Sequence, residues 1–262
     1  TMDIKFDKYQ GAGNDFIIMD NLTGAYDEMT ALQFQSICNR HKGIGSDGII
    51  LIESHATLDF EMRYFNSNGN LSSMCGNGAR CAVAFASRHN LIKRETRFIA
   101  ADGIHEAELI SANEVRLQMQ NVNDLTKKGD AIIIDTGSPH FVVLCNDIEN
   151  VNVFEEGSKI RYSNAFNAQG INVNFIKKES SKSYVIRTYE RGVENETLAC
   201  GTGAVAGALA MHYLGFSEEK TSLEMKALGG DLIVDFETSE KGYQNIYLQG
   251  QAAYVYSGII SI

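Results

Sequence analysis

The chain has 262 residues, 44% of them apolar, and a formal net charge of −10. That length holds one large domain or two ordinary ones, with ample apolar material for a core. The acidic balance excludes a nucleic-acid or anionic-membrane surface, which needs clustered Lys and Arg, and no apolar run approaches the roughly 18 residues of a membrane span.

Thr1 ahead of Met2 reads as a cloning remnant, and Thr1-Met2-Asp3-Ile4-Lys5 lacks the charged-then-apolar pattern of an export signal. Residues 31–40 read as a short helix, and 49–53 and 59–65 as strands between Gly- and Asn-bearing turns. The stretch after Cys75, through Ala82, Val83, Phe85 and Ala86, is the longest helical run of the first half. Strands follow at 98–101 and 115–119. A similar series then returns, with strands at 131–135, 141–144, 171–176 and 184–189, a helix over 204–214 closed by Gly215, and a strand at 232–236. The last runs, 246–248 and 253–260, are expected to close the second half and then cross back onto the first.

The return is a repeat. At an offset of 125 residues, Asp15-Phe16-Ile17-Ile18-Met19 falls on His140-Phe141-Val142-Val143-Leu144, and Gly45 on Gly170. Tyr64-Phe65-Asn66 falls on Tyr189-Glu190-Arg191, Cys75-Gly76-Asn77-Gly78-Ala79 on Cys200-Gly201-Thr202-Gly203-Ala204, and Thr96-Arg97-Phe98 on Thr221-Ser222-Leu223. The reading is two homologous domains, residues 1–120 (rejoined by 251–262) and 121–250. The expected class is α+β, each domain a curved, mainly antiparallel sheet wrapped around a central helix, with the active site in the interdomain cleft.

Five cysteines, an odd count with no C-x-x-C spacing, fit neither a disulfide framework nor a structural zinc site. A reducing, cytoplasmic compartment is expected. Cys38, Cys81 and Cys145 read as small core hydrophobes. Cys75 and Cys200 differ, because each stands before a helix in a Cys-Gly-x-Gly-Ala segment at repeat-equivalent positions. A helix start carries partial positive charge and unpaired N–H groups, which lower a thiol pKa and hold a carboxylate. Two such sites can give an amino acid a base on one face of its α-carbon and an acid on the other. The developing negative charge would be held by backbone donors in a dry site rather than by a pyridoxal ring.

The chain resembles the diaminopimelate epimerase family over essentially its whole length. The segments that carry this are Gly11-Ala12-Gly13-Asn14-Asp15-Phe16, Gly43-Ile44-Gly45-Ser46-Asp47-Gly48, Phe65-Asn66-Ser67-Asn68-Gly69, Met74 through Cys81, Pro139-His140, Glu190-Arg191-Gly192 and Glu196 through Gly203. The resemblance implies interconversion of LL- and meso-diaminopimelate without cofactor or metal, in lysine and peptidoglycan-precursor synthesis. It makes Cys75 and Cys200 the base and acid, with His140 and Glu190 beside the reacting centre. It makes Asn14, Asn66, Asn172 and Arg191 contacts to the distal end of the substrate, and Gly76, Asn77, Gly201 and Thr202 the donors around its carboxylate. The expected partner is this small molecule, with neither nucleic acid nor membrane; a homodimer through exposed strands is compatible with the sequence. Ser138 stands where many members have Asn, and the loop 192–197 is one residue longer than the shorter family version.

Three rivals share some of these features. A proline racemase of the same architecture also uses two cysteines, but typically has His where this chain has Asn77. A cysteine hydrolase with His140 as base and Glu190 as orienter needs one thiol, not two. A redox sensor would pair Cys75 with Cys200 in a reversible disulfide.

Overall fold

The computed structural model describes residues 2–72 and 74–262. It divides into two compact units, Thr1–Leu117 with Gly250–Ile262, and Gln118–Gln249. The first half of the chain contains β1 (Asp3–Gly11), β2 (Asn14–Asp20), α1 (Ala31–Cys38), β3 (Gly48–Glu53), β4 (Phe60–Asn66), α2 (Gly76–Arg88), β5 (Glu95–Ala100), β6 (Gly103–Ser111) and β7 (Glu114–Gln118). The second contains β8 (Leu125–Lys128), β9 (Ala131–Asp135), β10 (Pro139–Leu144), α3 (Val153–Arg161), β11 (Asn172–Lys178), β12 (Ser183–Glu190) and β13 (Asn195–Thr197). It continues with α4 (Gly201–Tyr213), β14 (Ser222–Ala227), β15 (Gly230–Ser239) and β16 (Gly242–Gln251), and β17 (Ala253–Ser261) ends the chain.

In the first unit β17 runs antiparallel to β1 and β1 to β2, while β2 is parallel to β3. Then β3 is antiparallel to β4, β4 parallel to β5, and β5–β6 and β6–β7 are antiparallel. The second unit repeats this pattern: β9–β10 antiparallel, β10–β11 parallel, β11–β12 antiparallel, β12–β14 parallel, β14–β15 antiparallel. The β8–β9 and β12–β13 pairs are added, both antiparallel. Each unit is thus α+β with a mainly antiparallel sheet around one buried helix.

Both central helices are made of small residues because the sheet closes on them. Asn77–Ala86 in α2 and Gly203–Met211 in α4 are buried on every side. At Gly207 a Cβ would lie 2.5 Å from Ile176 Cδ1 and 2.8 Å from Met225 Cε, so a larger residue would have to push both side-chain ends aside. The α4 helix stops where Gly215 adopts φ +78, a left-handed conformation open to glycine. The opposite sheet faces carry their own helices: α1, held by a Thr30–Gln33 capping box, covers Ile17, Ile49, Leu51 and Phe65. Gly157 of α3 lies against Tyr189, where a Cβ would come within 2.4 Å of Tyr189 Cβ.

The pairing corrects the repeat read from sequence. The helix starts do stand 125 residues apart, from Cys75 to Cys200. The strands beneath them do not. Ile17, Ile49 and Phe65 face α1, and their counterparts on the α3 side are Phe141, Val173 and Tyr189, each 124 residues on. Helix-facing Phe16, Ile50 and Met62 correspondingly match His140, Asn174 and Ile186. A one-residue slip exchanges the two faces of a strand, so the offset of 125 pairs each β2 residue with one on the wrong face. The hairpin turns shift further, since Ala100↔Gly103 corresponds to Ala227↔Gly230.

Other boundaries also moved. The helix read at 31–40 ends at Cys38, and the strand read at 98–101 starts at Glu95 and stops before the Ala101-Asp102 turn. Strand β1 escaped notice because its inward positions include Asp7 and Lys8, which are buried in pairs with His89 and Asp15. Cys38 and Cys81 are buried and Cys145 is half-buried. Burial raises all three thiols, that of Cys81 to about 12, as inert structural cysteines require.

Candidate active site

In the first unit, the β1–β2 hairpin turns through Ala12 and Gly13 with φ +49 and +91, the pairing Gly11↔Asn14 closing a two-residue loop. A turn with two left-handed residues matches the twist of the flanking strands and sets Asn14 at the head of β2. Asn14 Nδ2 donates to Asp47 Oδ2 at 2.9 Å, and Asn14 Oδ1 accepts from Asn77 Nδ2 at 2.7 Å. Asn77 Oδ1 in turn accepts from the Arg80 guanidinium at 2.7 Å. Asp47 belongs to a compensated cluster with Arg40, Asp15 and Lys8. The head of this chain is Cys75, the N-cap of α2, whose carbonyl accepts from Ala79 N at 2.7 Å. The N–H groups of Gly76, Asn77 and Gly78 precede that bond and have no acceptor within the helix. Around Gly76 a Cβ would meet none of the described residues within 4 Å, so their packing does not demand glycine there. Asn66, at the end of β4, is exposed.

The second unit meets the same helix start with different side chains. Cys200 is the N-cap of α4, and its carbonyl accepts from Ala204 N at 2.9 Å. Its Sγ lies 3.5 Å from Thr202 Oγ1, which lies 3.0 Å from His140 Nε2. His140 Nδ1 is 2.8 Å from Asn174 Oδ1, and Asn174 Nδ2 donates to Thr188 Oγ1 at 2.8 Å. His140, Asn174 and Thr188 are all buried. Burial lowers the His140 pKa to about 4, so the ring is neutral at physiological pH.

Asn172 ties this network to the loop after β12. Its Oδ1 accepts from Arg191 N at 2.8 Å, and its Nδ2 donates to Ser138 Oγ at 2.9 Å and Pro139 O at 3.1 Å. Ser138 Oγ also accepts from the Arg191 guanidinium at 3.2 Å, while Arg191 donates to Gln169 O at 3.0 Å. Ser138 therefore binds Asn172 and Arg191 together. Glu190 closes β12, and burial raises its carboxyl above the usual range. A carboxyl raised in this way holds its proton more readily than an exposed one.

The structure thus gathers Cys200, Thr202, His140, Asn172 and Arg191 in one unit, and Cys75, Asn77 and Asn14 in the other. Asn174, Thr188 and Arg80 were not singled out from sequence as members of these networks, and Ser138 was noted as a departure from the family pattern rather than as a partner of Asn172 and Arg191. Their signal was present for Asn174 alone: a polar residue inside the apolar run 171–176. Among the described residues no three His, Cys, Asp or Glu side chains are grouped to hold a metal ion, and no helix is long and apolar enough to cross a membrane.

Gly203 and Asn174 constrain each other. A Cβ at Gly203 would stand 2.5 Å from Asn174 Nδ2 and 3.3 Å from Cys200 Sγ. Gly203→Ala is expected to destabilise the fold by about 1–3 kcal/mol through overpacking. A melting temperature unchanged from the parent would show that the strand yields instead.

A family model described as Diaminopimelate epimerase matches residues 6–124 and again 132–255. The diaminopimelate epimerase of Flavobacterium psychrophilum is 44% identical over 257 residues, covering 98% of this chain and 100% of that protein. That of Chlorobaculum tepidum is 41% identical over 262 residues, covering 96% and 99%. Among solved structures, a PhzF-family phenazine biosynthesis protein of Bacillus anthracis matches with a TM-score of 0.75 at 15% identity, covering 100% of both chains. A hydroxyproline epimerase of Agrobacterium vitis matches with a TM-score of 0.67 at 11% identity, covering 99% of this chain and 93% of that one. These two show a shared fold. The repeated family match and the full-length identity to its members go further: the chain belongs to the diaminopimelate epimerase family of isomerases.

Proposed function

We propose that this chain interconverts LL- and meso-diaminopimelate, with Cys75 and Cys200 serving opposite faces of one α-carbon. The observation that carries the reading is the repetition of one device: a half-buried cysteine at the N-cap of a helix whose inner turns are buried, once in each unit. One thiolate takes the α-proton and becomes a thiol. The electron pair left on carbon spreads into the carboxylate, held by helix-start N–H groups. The other thiol gives its proton to the opposite face and becomes a thiolate, so protons and charge balance. Arg191 offers a two-pronged donor to the distal carboxylate, and Asn14 and Asn66 contact the distal end. Asn172 and Ser138 hold Arg191 and His140 in place for it. His140 and Glu190 adjust the proton-transfer groups rather than form covalent intermediates.

The direct test is incubation of reduced protein with LL-diaminopimelate in D2O, followed by NMR. Formation of the meso isomer with deuterium at one α-carbon supports the reading. Exchange of proline in its place would move the substrate assignment to the racemase rival, and a trapped acyl-enzyme would favour the hydrolase.

Gly76→Ala separates a binding glycine from a packing one. With none of the described residues within 4 Å of the new Cβ, the fold is expected to melt at or slightly above the parent temperature. The methyl would intrude where a carboxylate approaches the helix start, so KM is expected to rise about tenfold or more. An unchanged KM would remove the carboxylate from this position.

We further propose a cytoplasmic homodimer formed through β17, whose Val255, Tyr256 and Ile259 are exposed. Sedimentation of the parent and of Ile259→Lys tests it: a dimer that the variant splits is expected, and a monomeric parent refutes it.

A further inference from the structure

The two helix starts provide a controlled comparison within one molecule. Both are 13-residue helices capped by a cysteine with extended backbone, φ/ψ −107/122 at Cys75 and −123/114 at Cys200. Their macrodipoles are equivalent, so any difference between the thiols comes from neighbouring side chains. Those neighbours are opposite in kind.

Beside Cys200 the hydrogen positions can be deduced. Backbone groups have fixed roles: Arg191 N–H only donates and Pro139 C=O only accepts, which sets Asn172 with Oδ1 toward the first and Nδ2 toward the second. That Nδ2 spends its two hydrogens on Ser138 and Pro139, and its 3.5 Å approach to His140 Nε2 adds no third; the ring is set instead by Asn174 Oδ1, which can only accept and faces Nδ1, so Nε2 is the unprotonated nitrogen of the neutral ring. Nδ1 therefore carries the hydrogen and donates to Asn174 Oδ1, leaving Asn174 Nδ2 to donate to Thr188. Thr202 can bond Nε2 only by donating its single hydroxyl hydrogen. Toward Cys200 the Thr202 oxygen can then only accept, so the hydrogen between them belongs to sulfur.

Beside Cys75 stands a cation. Arg80 is fully buried in the first turns of α2, donating to Asn77 Oδ1 and, at 3.4 Å, to the Gly76 carbonyl next to Cys75. Its Nε has no hydrogen-bond partner among the described residues. Among the described residues no carboxylate is paired with it, and Asp47 is linked to it through the Asn14 and Asn77 amides. An Arg side chain stays charged, and its buried charge favours a nearby anion. Cys81 does not compete, since burial holds its thiol protonated. Titratable groups on elements packed against this part of α2 include Tyr64 of β4, Tyr9 of β1, whose phenol burial keeps neutral, and the Lys8–Asp15–Arg40–Asp47 cluster, which is compensated internally. The Arg88, His89 and Asp7 group lies at the far end of the helix. At the residue equivalent to Arg80, α4 has buried Val205. Around Cys200, Asp135 and Arg191 act on His140 with opposite signs, and the Glu190 carboxyl is biased toward its neutral form.

We propose that the substrate-free protein rests in one protonation state, Cys75 as thiolate stabilised by Arg80 and Cys200 as thiol held by the Thr202–His140–Asn174 chain. Arg80 is thus a positioning residue for charge, acting through Cys75, and Asn174 acts through His140. The catalytic meaning of the assignment rests on the two-thiol reading above; the protonation states do not. In that setting, resting protein takes a proton with Cys75 and gives one with Cys200.

The test uses reduced, substrate-free protein. Infrared spectra near neutral pH are compared for the parent, Cys75→Ser and Cys200→Ser, and alkylation by iodoacetamide is followed against pH with each cysteine peptide quantified by mass spectrometry. Cys200→Ser is expected to remove an S–H stretching band that Cys75→Ser leaves in place, and Cys75 to be alkylated with an apparent pKa at least one unit below that of Cys200. Arg80→Met should raise the Cys75 value by at least one unit and leave that of Cys200 unmoved, while Arg80→Lys should keep most of the depression. Loss of a band in Cys75→Ser alone, coincident alkylation profiles, or an Arg80→Met variant that folds yet leaves Cys75 unshifted would each overturn the assignment. Because no substrate is present, failure here is distinguishable from failure of the D2O exchange experiment, which tests the reaction itself.

Discussion

Replacing Cys75 with alanine is expected to slow epimerisation by about 10⁴-fold, and replacing Cys200 to slow it as much. General acid–base groups typically contribute 10²–10⁴-fold, and each thiol here would be the sole proton carrier on its face, which puts both at the upper end. The double variant should be hardly slower than either single one, because an acid and a base that act in one inversion fail together. Independent roles would instead multiply. Neither substitution should cost more than about 1 kcal/mol of stability, since both cysteines are half-buried N-caps rather than core residues. Stopped-time assays on both isomers and thermal melts check this together. Two singles that each lose little activity, or a double whose loss is the product of the singles, would defeat the paired-thiol reading. The variants also separate the two thiols: with Cys200 replaced, Cys75 can still take a proton and return it to the same face. One isomer should then show slow α-deuteration without inversion.

The features visible in the sequence were those written in glycine and in helix-start pattern. The Cys-Gly-x-Gly-Ala segments, Gly45 and Gly170, with φ +81 and +74, and the Gly215 stop are all local, so they survive reading one residue at a time. What stayed hidden was register. Two sequences laid side by side show which residues are alike, but only hydrogen-bonded pairing shows which face they occupy. Phe16 and Phe141 look alike and sit on opposite faces; Phe16 and His140 look unalike and occupy the same place. The loop before α4 carries the extra residue that separates the helix offset from the strand offset. The roles of Ser138 and Asn174 were hidden for another reason. A buried polar side chain acquires its role from partners distant in sequence, and Thr188, Pro139 and Arg191 are brought to them only by the fold.

The mismatch at that one place in the repeat yields the second large effect. Exchanging His140→Phe and Asn174→Ile together gives the second unit the apolar pair, Phe16 and Ile50, that the first already packs against Gly78. The glycine facing the pair is matched by Gly203, so the larger side chains have a seat. His140 is neutral when folded, with a pKa near 4 against 6.5 for the unfolded ring. Between those values the unfolded chain binds a proton that the folded one does not, so stability rises with pH there. The contribution is whole above about pH 6.5 and is lost as pH falls toward 4, amounting to about 3 kcal/mol across the window. The double variant should lose that slope: chemical denaturation at pH 7 and pH 4.5 is expected to show a drop of about 2–3 kcal/mol in the parent that the variant lacks. Activity should fall by at least about 10²-fold, since Thr202 would no longer be committed to His140 and Cys200 would lose its fixed proton. A variant with the parent's acid slope would show that His140 titrates as an ordinary exposed ring. A variant that is acid-resistant and fully active would show that the buried polar chain serves neither proton placement nor catalysis, leaving its burial without a purpose that offsets its cost in acid.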